Sequence, residues 1–244
     1  MQHFPSRQGA LHAEGVPLAT IAAAVGTPVY VYSTAALRAS ARAFKAGLGA
    51  IPRKQLAFAV KANPNLAVLR LLAEEGYGAD IVSGGEMLRA MAAGMPAADI
   101  AFSGVGKTRA ELAAALDAGV GQFNLELEQE GVMLAALAKT CGKRAPAVLR
   151  INPDVDAGTH AKISTGRRQN KFGVALDDAA AIYARLSTLD GLDLRGIAIH
   201  IGSQLADLVP LEAAYTRVGT LVAELRAAGH RISHVDLGGG LGLA

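Results

Sequence analysis

Short apolar runs rich in Val, Ile and Phe recur along the chain, separated by Ala- and Leu-rich stretches whose apolar positions repeat at helical spacing. That alternation predicts a parallel sheet wrapped by helices, because strands buried on both faces read as continuous apolar runs and each needs a helical crossover to the next. The runs predict strands at Val29–Tyr32, Leu56–Ala62, Ala79–Val82, Ile100–Ser103, Gln122–Leu125, Ala147–Asn152, Gly196–Gly202 and His234–Gly238. Helices are expected at Ser33–Ala46, Leu66–Glu75, Gly84–Ala93, Lys107–Asp117 and Leu208–Ala228. Gly47, Gly76, Gly94, Gly119 and Gly229 follow helical stretches and suit left-handed C-caps. The strand–helix–glycine unit repeats without a Pro- or Ser-rich linker, which favours one α/β barrel over a doubly wound sheet. One interval breaks the rhythm: Asp154 to Val174 is polar and Gly-rich, with neither period. A long irregular loop inside a compact domain is expected to be functional.

Composition narrows the function. With 244 residues, 51% of them hydrophobic and 18% charged, the chain has the apolar content for a large core and is not a disordered one. The formal charge of +3 comes from scattered basic residues, never a block of five or more, so neither a nucleic-acid nor a membrane-surface partner is expected. No apolar run reaches the roughly 18 residues of a membrane span, and the opening residues lack a charged stretch followed by an apolar one. A cytoplasmic location is expected. The single cysteine, Cys141, leaves no intrachain disulfide and no paired-cysteine metal site, and no metal is expected.

Four otherwise apolar strands each carry one ionisable residue near the C-terminal end: Lys61, Asp80, Arg150 and His200. Taken singly, each has an ordinary explanation, such as a lysine reaching solvent, a paired strand charge or a hydrogen-bonded core histidine. Taken together they point to a site, since burying several ionisable groups is costly unless they face one another or a ligand. In a barrel that site lies where strands end. The run Gly238-Gly239-Gly240 follows the last strand and offers backbone N–H groups to a phosphate. It lacks the Gly-Lys-Ser/Thr of a nucleotide-binding loop and the following helix of a dinucleotide fingerprint. Pyridoxal phosphate unites these parts. It needs a lysine for its aldehyde, a planar group against its ring and a phosphate cradle, which Lys61, His200 and Gly238 to Gly240 with Ser203 can supply. A barrel enzyme acting on a sugar phosphate through Lys61 is the other chemistry these residues allow.

The segments Phe58-Ala59-Val60-Lys61-Ala62-Asn63, Ala79-Asp80-Ile81-Val82-Ser83-Gly84-Gly85-Glu86, Asn152 to Gly173, His200-Ile201-Gly202-Ser203-Gln204 and Gly238-Gly239-Gly240 resemble the diaminopimelate decarboxylases. That family stands with the ornithine and arginine decarboxylases and the alanine racemases, which carry pyridoxal phosphate on a (β/α)8 barrel. The resemblance implies that Lys61 forms the Schiff base, His200 stacks on the cofactor ring, Ser203 and Gly238 to Gly240 bind phosphate, and Asp80 and Arg150 lie near the cofactor. It implies decarboxylation of meso-diaminopimelate to L-lysine, in a protein that is a homodimer at full length. Residues 1–29 are expected to be a lead-in and 30–244 the cofactor barrel. On this resemblance the chain stops before the eighth barrel strand, its Glu-Pro-Gly-Arg motif and a β-sandwich domain, so this stretch alone is expected to be inactive. A non-catalytic pyridoxal-phosphate carrier and a polyamine-type decarboxylase are the alternatives.

Overall fold

The computed structural model describes residues 3–155 and 172–242. The chain opens with a small antiparallel sheet of β1 (Ser6–Arg7), β2 (Ala10–Ala13) and β3 (Val16–Pro17), followed by α1 (Leu18–Val25). Strands this short carry too little pattern to be read from sequence. The strand expected at Val29–Tyr32 does not form. Its β-branched and aromatic residues pair with no strand among the described residues, and Tyr30 is 89% exposed. Ser33 then caps α2 (Thr34–Gly47), its Oγ accepting from Ala36 N at 3.0 Å and donating to Glu14 Oε1 at 2.8 Å. Glu14 thereby pins the opening sheet to the first long helix. Gly47 sits inside that helix without a positive φ, whereas Gly76, Gly94, Gly119 and Gly229 adopt the left-handed caps expected of them.

The rest of the described chain is a strand–helix repeat. It runs through β4 (Ala57–Ala59), α3 (Leu66–Glu74), β5 (Gly78–Ile81), α4 (Gly84–Ala92), β6 (Ile100–Phe102), α5 (Arg109–Ala118), β7 (Gln122–Leu125), α6 (Glu128–Thr140) and β8 (Ala145–Asn152). It continues with β9 (Val174–Ala175), α7 (Leu176–Ser187), β10 (Leu192–Ile199), α8 (Val209–Ala227) and β11 (His234–Asp236). The strands form one curled parallel sheet in the order β11-β10-β8-β7-β6-β5-β4, with β9 paired to β8, and this is the α/β barrel architecture the periodicity called for. β4 and β11 are its two ends. No helix among the described residues is long and apolar enough to cross a membrane.

Strand alternation divides the side chains between two environments. The helix-facing set, including Phe102, Phe123, Leu125, Leu149, Ile151, Ile197 and Ile199, is almost fully buried against α3 to α8 and holds the core together. Each such side chain contributes about 1.5–3 kcal/mol by leaving water. The alternate set faces the lumen and, apart from Val148, is small or polar: Asp80, Ala101, Gln122, Asn124, Ala198 and Asp236. The inner layer of a barrel is usually filled by branched apolar residues. Here it is not.

Candidate active site

Loops that follow strand ends can hold polar side chains over a rigid sheet, and the structure brings Lys61, Asp80, Arg150 and His200 to one such mouth. Lys61 lies not in the strand, as the apolar run suggests, but in a 3-10 turn spanning Val60–Ala62, because β4 ends at Ala59. The residue is exposed, and its ammonium makes no hydrogen bond among the described residues. A second lysine stands nearby with the opposite character. Lys107 is buried, and Nζ donates to Gly104 O at 2.7 Å, to Asn124 O at 2.8 Å and to Glu130 Oε1 at 2.5 Å. An ammonium has three donors. All three of Lys107 are used, so Lys61 is the amine left to meet a ligand.

The charges of Lys61 and Arg150 bear on the ionisation of both Asp80 and His200. Burial pushes the Asp80 carboxyl up to about 6; the Ser103 hydroxyl and the charges of Lys61 and Arg150 oppose that rise, and Asp236 adds to it. Burial first, then the cations Arg150 and Lys61, hold His200 down at about 4. At neutral pH Asp80 is therefore ionised and His200 is a neutral ring. Arg150 is buried and pairs with Glu126, Nη1 to Oε1 at 2.6 Å, while its guanidinium lies 5.0 Å from the centre of the Phe172 ring. Glu126 Oε2 also accepts from Gly173 N at 3.0 Å. The residues 156–171 of the long segment singled out from sequence lie outside the described residues.

The glycine run packs directly on His200. Gly238 and Gly240 have φ of +67° and +99°, and a Cβ on either would enter the carbonyl oxygen of Ile199 or Gly202. Leu205 N donates to Gly240 O at 2.8 Å and Gly242 N to Leu205 O at 2.9 Å, lacing this run to the exposed loop that carries Ser203. Gly239 N reaches His200 Nδ1 at 3.4 Å, and Gly238 N donates to Asp236 Oδ1 at 2.9 Å. A free primary amine, a neutral planar ring and a loop too tight for any side chain at two of its three glycines are the parts that pyridoxal phosphate requires, and the residues present fit it.

Sequence reading missed a group of polar residues between these parts. Ser103, Gln122, Asn124 and Asp236 form a hydrogen-bonded set in the lumen. Asn124 and Asp236 are polar residues in apolar strands, the same signal that picked out Asp80 and Arg150, and Gln122 repeats it two places before Asn124.

A separate cleft of about 570 Å³ opens at the opposite, N-terminal mouth, lined among others by Gln122, Lys143, Arg144, Arg195 and His234. There Lys143 Nζ donates to Leu116 O at 2.9 Å, Arg144 Nη2 to Leu192 O at 2.7 Å and Arg195 to Gly121 O. None of the four mouth residues named from sequence lines it.

The chain is similar to known proteins in sequence and in fold. Residues 35–244 match the family model described as pyridoxal-dependent decarboxylase, pyridoxal binding domain. The diaminopimelate decarboxylase of Zymomonas mobilis is 52% identical over 242 residues, covering 98% of this chain and 58% of that protein. The solved structure of diaminopimelate decarboxylase from Helicobacter pylori complexed with L-lysine superimposes with a TM-score of 0.87 at 37% identity, over 93% of this chain and 57% of that one. The enzyme from M. jannaschii, in co-complex with L-lysine, gives 0.90 at 36% identity, over 98% of this chain and 57% of that one. The chain thus spans somewhat more than half the length of the relatives it matches.

Proposed function

This chain belongs to the pyridoxal-dependent decarboxylases, and on that premise we propose that it forms the cofactor half of an enzyme that converts meso-diaminopimelate to L-lysine and CO₂. The observation that carries the proposal is the meeting of the free amine of Lys61 with Asp80, His200 and the glycine run at one barrel mouth. The chemistry supplied by pyridoxal phosphate when bound is an electron sink for the pair left when the D-configured α-carboxylate departs as CO₂, a proton taking its place.

This chain's own residues would bind and orient. Lys61 would hold the cofactor covalently through its amine, the role Lys107 is barred from by its three hydrogen bonds. His200, neutral at working pH, would lay a flat uncharged ring on the cofactor. The N–H of Gly240, and that of Gly239 on giving up its long 3.4 Å contact with His200 Nδ1, would take the phosphate with the Ser203 hydroxyl, while Gly238, its N–H held at 2.9 Å by Asp236, would shape the turn. Asp80 would set a negative charge beside Lys61, and Arg150, neutralised by Glu126, would wall the site. A cytoplasmic homodimer acting on a free amino acid goes with this reading and rests on the family resemblance.

The test is to add pyridoxal phosphate to the full-length protein, record the visible absorbance, reduce with borohydride and map the labelled peptide, then assay lysine release from meso-diaminopimelate in that holoenzyme. A yellow complex reduced onto Lys61 with lysine formed is the expected result. Colour without CO₂ would favour a carrier, turnover of ornithine instead would favour the polyamine branch, and a colourless protein would end the reading.

A further inference from the structure

A hydrogen-bonded chain crosses the lumen from the glycine run to the carboxyl beside Lys61. Gly238 N donates to Asp236 Oδ1 at 2.9 Å, and Asp236 Oδ2 accepts from Asn124 Nδ2 at 3.0 Å. The same Asn124 nitrogen donates to Ser103 Oγ at 2.9 Å, and Ser103 Oγ donates to Asp80 Oδ1 at 2.5 Å. Gln122 Nε2 closes the set on Asn124 Oδ1 at 2.8 Å and on Asp236 Oδ2 at 3.1 Å. Asn124 is 4% exposed, and both protons of its amide nitrogen are used, while its oxygen accepts from Gln122.

We propose that Asn124, acting through Ser103, is a positioning residue that fixes how Asp80 faces the Lys61 site and ties it to the glycine run. The inference rests on the cofactor reading above. Its physical basis is the direction of each bond. A hydroxyl that accepts from an amide on one side is left to donate on the other, so the Asn124 amide commits the Ser103 proton to Asp80. Asn124 suits the task because Asp236 and Ser103 both require a donor from it, which no carboxylate provides. A layer kept only for packing would be apolar, since buried polar groups cost several kcal/mol unless every one is satisfied.

The experiment titrates the visible absorbance of the bound cofactor with pH in the holoenzyme. Asp80→Asn identifies the transition that belongs to Asp80 by abolishing it. Ser103→Ala removes the donor that stabilises the Asp80 anion, so the midpoint moves up by about one pH unit. Asn124→Ala moves it in the same direction, the double variant moves it no further than the larger single change, and Ser103→Thr, which keeps the hydroxyl, restores the wild-type midpoint. Midpoints unchanged in Ser103→Ala and Asn124→Ala, with cofactor still bound, would overturn the proposal, as would fully additive shifts. If Asn124→Ala does not fold, Ser103→Ala, which deletes one oxygen, decides alone. A wild-type protein that never takes up pyridoxal phosphate would overturn the parent reading, and this inference with it, and is told apart by its lack of any visible band.

Discussion

From the lumen to the C-terminal mouth, Asp80, Arg150 and Asp236 pair with the side chains of Ser103, Glu126, Asn124 and Gln122, Asp236 also accepting from Gly238 N. At the N-terminal mouth, Lys143, Arg144 and Arg195 instead give their hydrogen bonds to main-chain carbonyls of Leu116, Leu192 and Gly121. The lower cations satisfy carbonyls at helix ends and strand entries, and what they contribute is closure of the fold. Among the upper groups burial, with Asp236 adding to it, raises the Asp80 carboxyl, and this is the end where the proposed site lies. One barrel thus spends its charges on main-chain carbonyls at one end and gathers them among side chains at the other, where the proposed site lies.

Substitutions should separate the two ends. Lys61→Ala is the largest test, expected to abolish borohydride-trapped cofactor while the thermal unfolding midpoint stays near wild type; label recovered on Lys107 would move the site. Gly240→Ala places a Cβ into the Gly202 carbonyl at φ +99°, and it should cost about 2 kcal/mol or more in denaturant unfolding and lose the cofactor as well. His200→Ala should weaken cofactor binding by about 1–2 kcal/mol, a five- to thirtyfold rise in Kd by fluorescence titration.

The histidine also carries a pH signature. Its value falls from an ordinary 6.5 to about 4 on folding, so the unfolded chain binds a proton in that window and the folded one does not. Stability present above pH 6.5 should therefore drain away as pH falls toward 4, and His200→Gln should flatten that loss in melting curves. Asp80, raised to about 6, works the other way between 3.8 and 6, favouring the fold at the acid end. Smallest of all, Arg195→Ala should cost about 1 kcal/mol and leave the cofactor spectrum unchanged, since it loses the Gly121 bond but also removes a buried Nε that has no hydrogen-bond partner among the described residues. A spectral change in that variant would erase the distinction between the two mouths.

Much of this was legible in the sequence. Seven of the eight apolar runs became barrel strands because burial on both faces leaves an unbroken apolar signature, and the eighth, Val29–Tyr32, failed because propensity without a pairing partner makes no sheet. The four ionisable residues stood out against apolar neighbours, and the structure brings them together at one mouth. Asn124 carries the same polar-in-apolar signal but no charge, and its partner Asp236 lies 112 positions later and meets it only across the lumen. The bond directions that make Lys107 unavailable and Ser103 a donor are set by tertiary contact, which no local pattern encodes.

That separation of 112 residues between Asn124 and Asp236 also bears on birth of the protein. A ribosome adding about 5–20 residues per second needs on the order of ten seconds to travel that distance. Throughout that interval the nascent sheet holds a polar inner layer whose carboxylate has not yet been made. Its growing edge meanwhile invites strands from neighbouring chains. Newly made copies should therefore depend on chaperones most in this window, and slowing translation within it should lower the yield of folded protein.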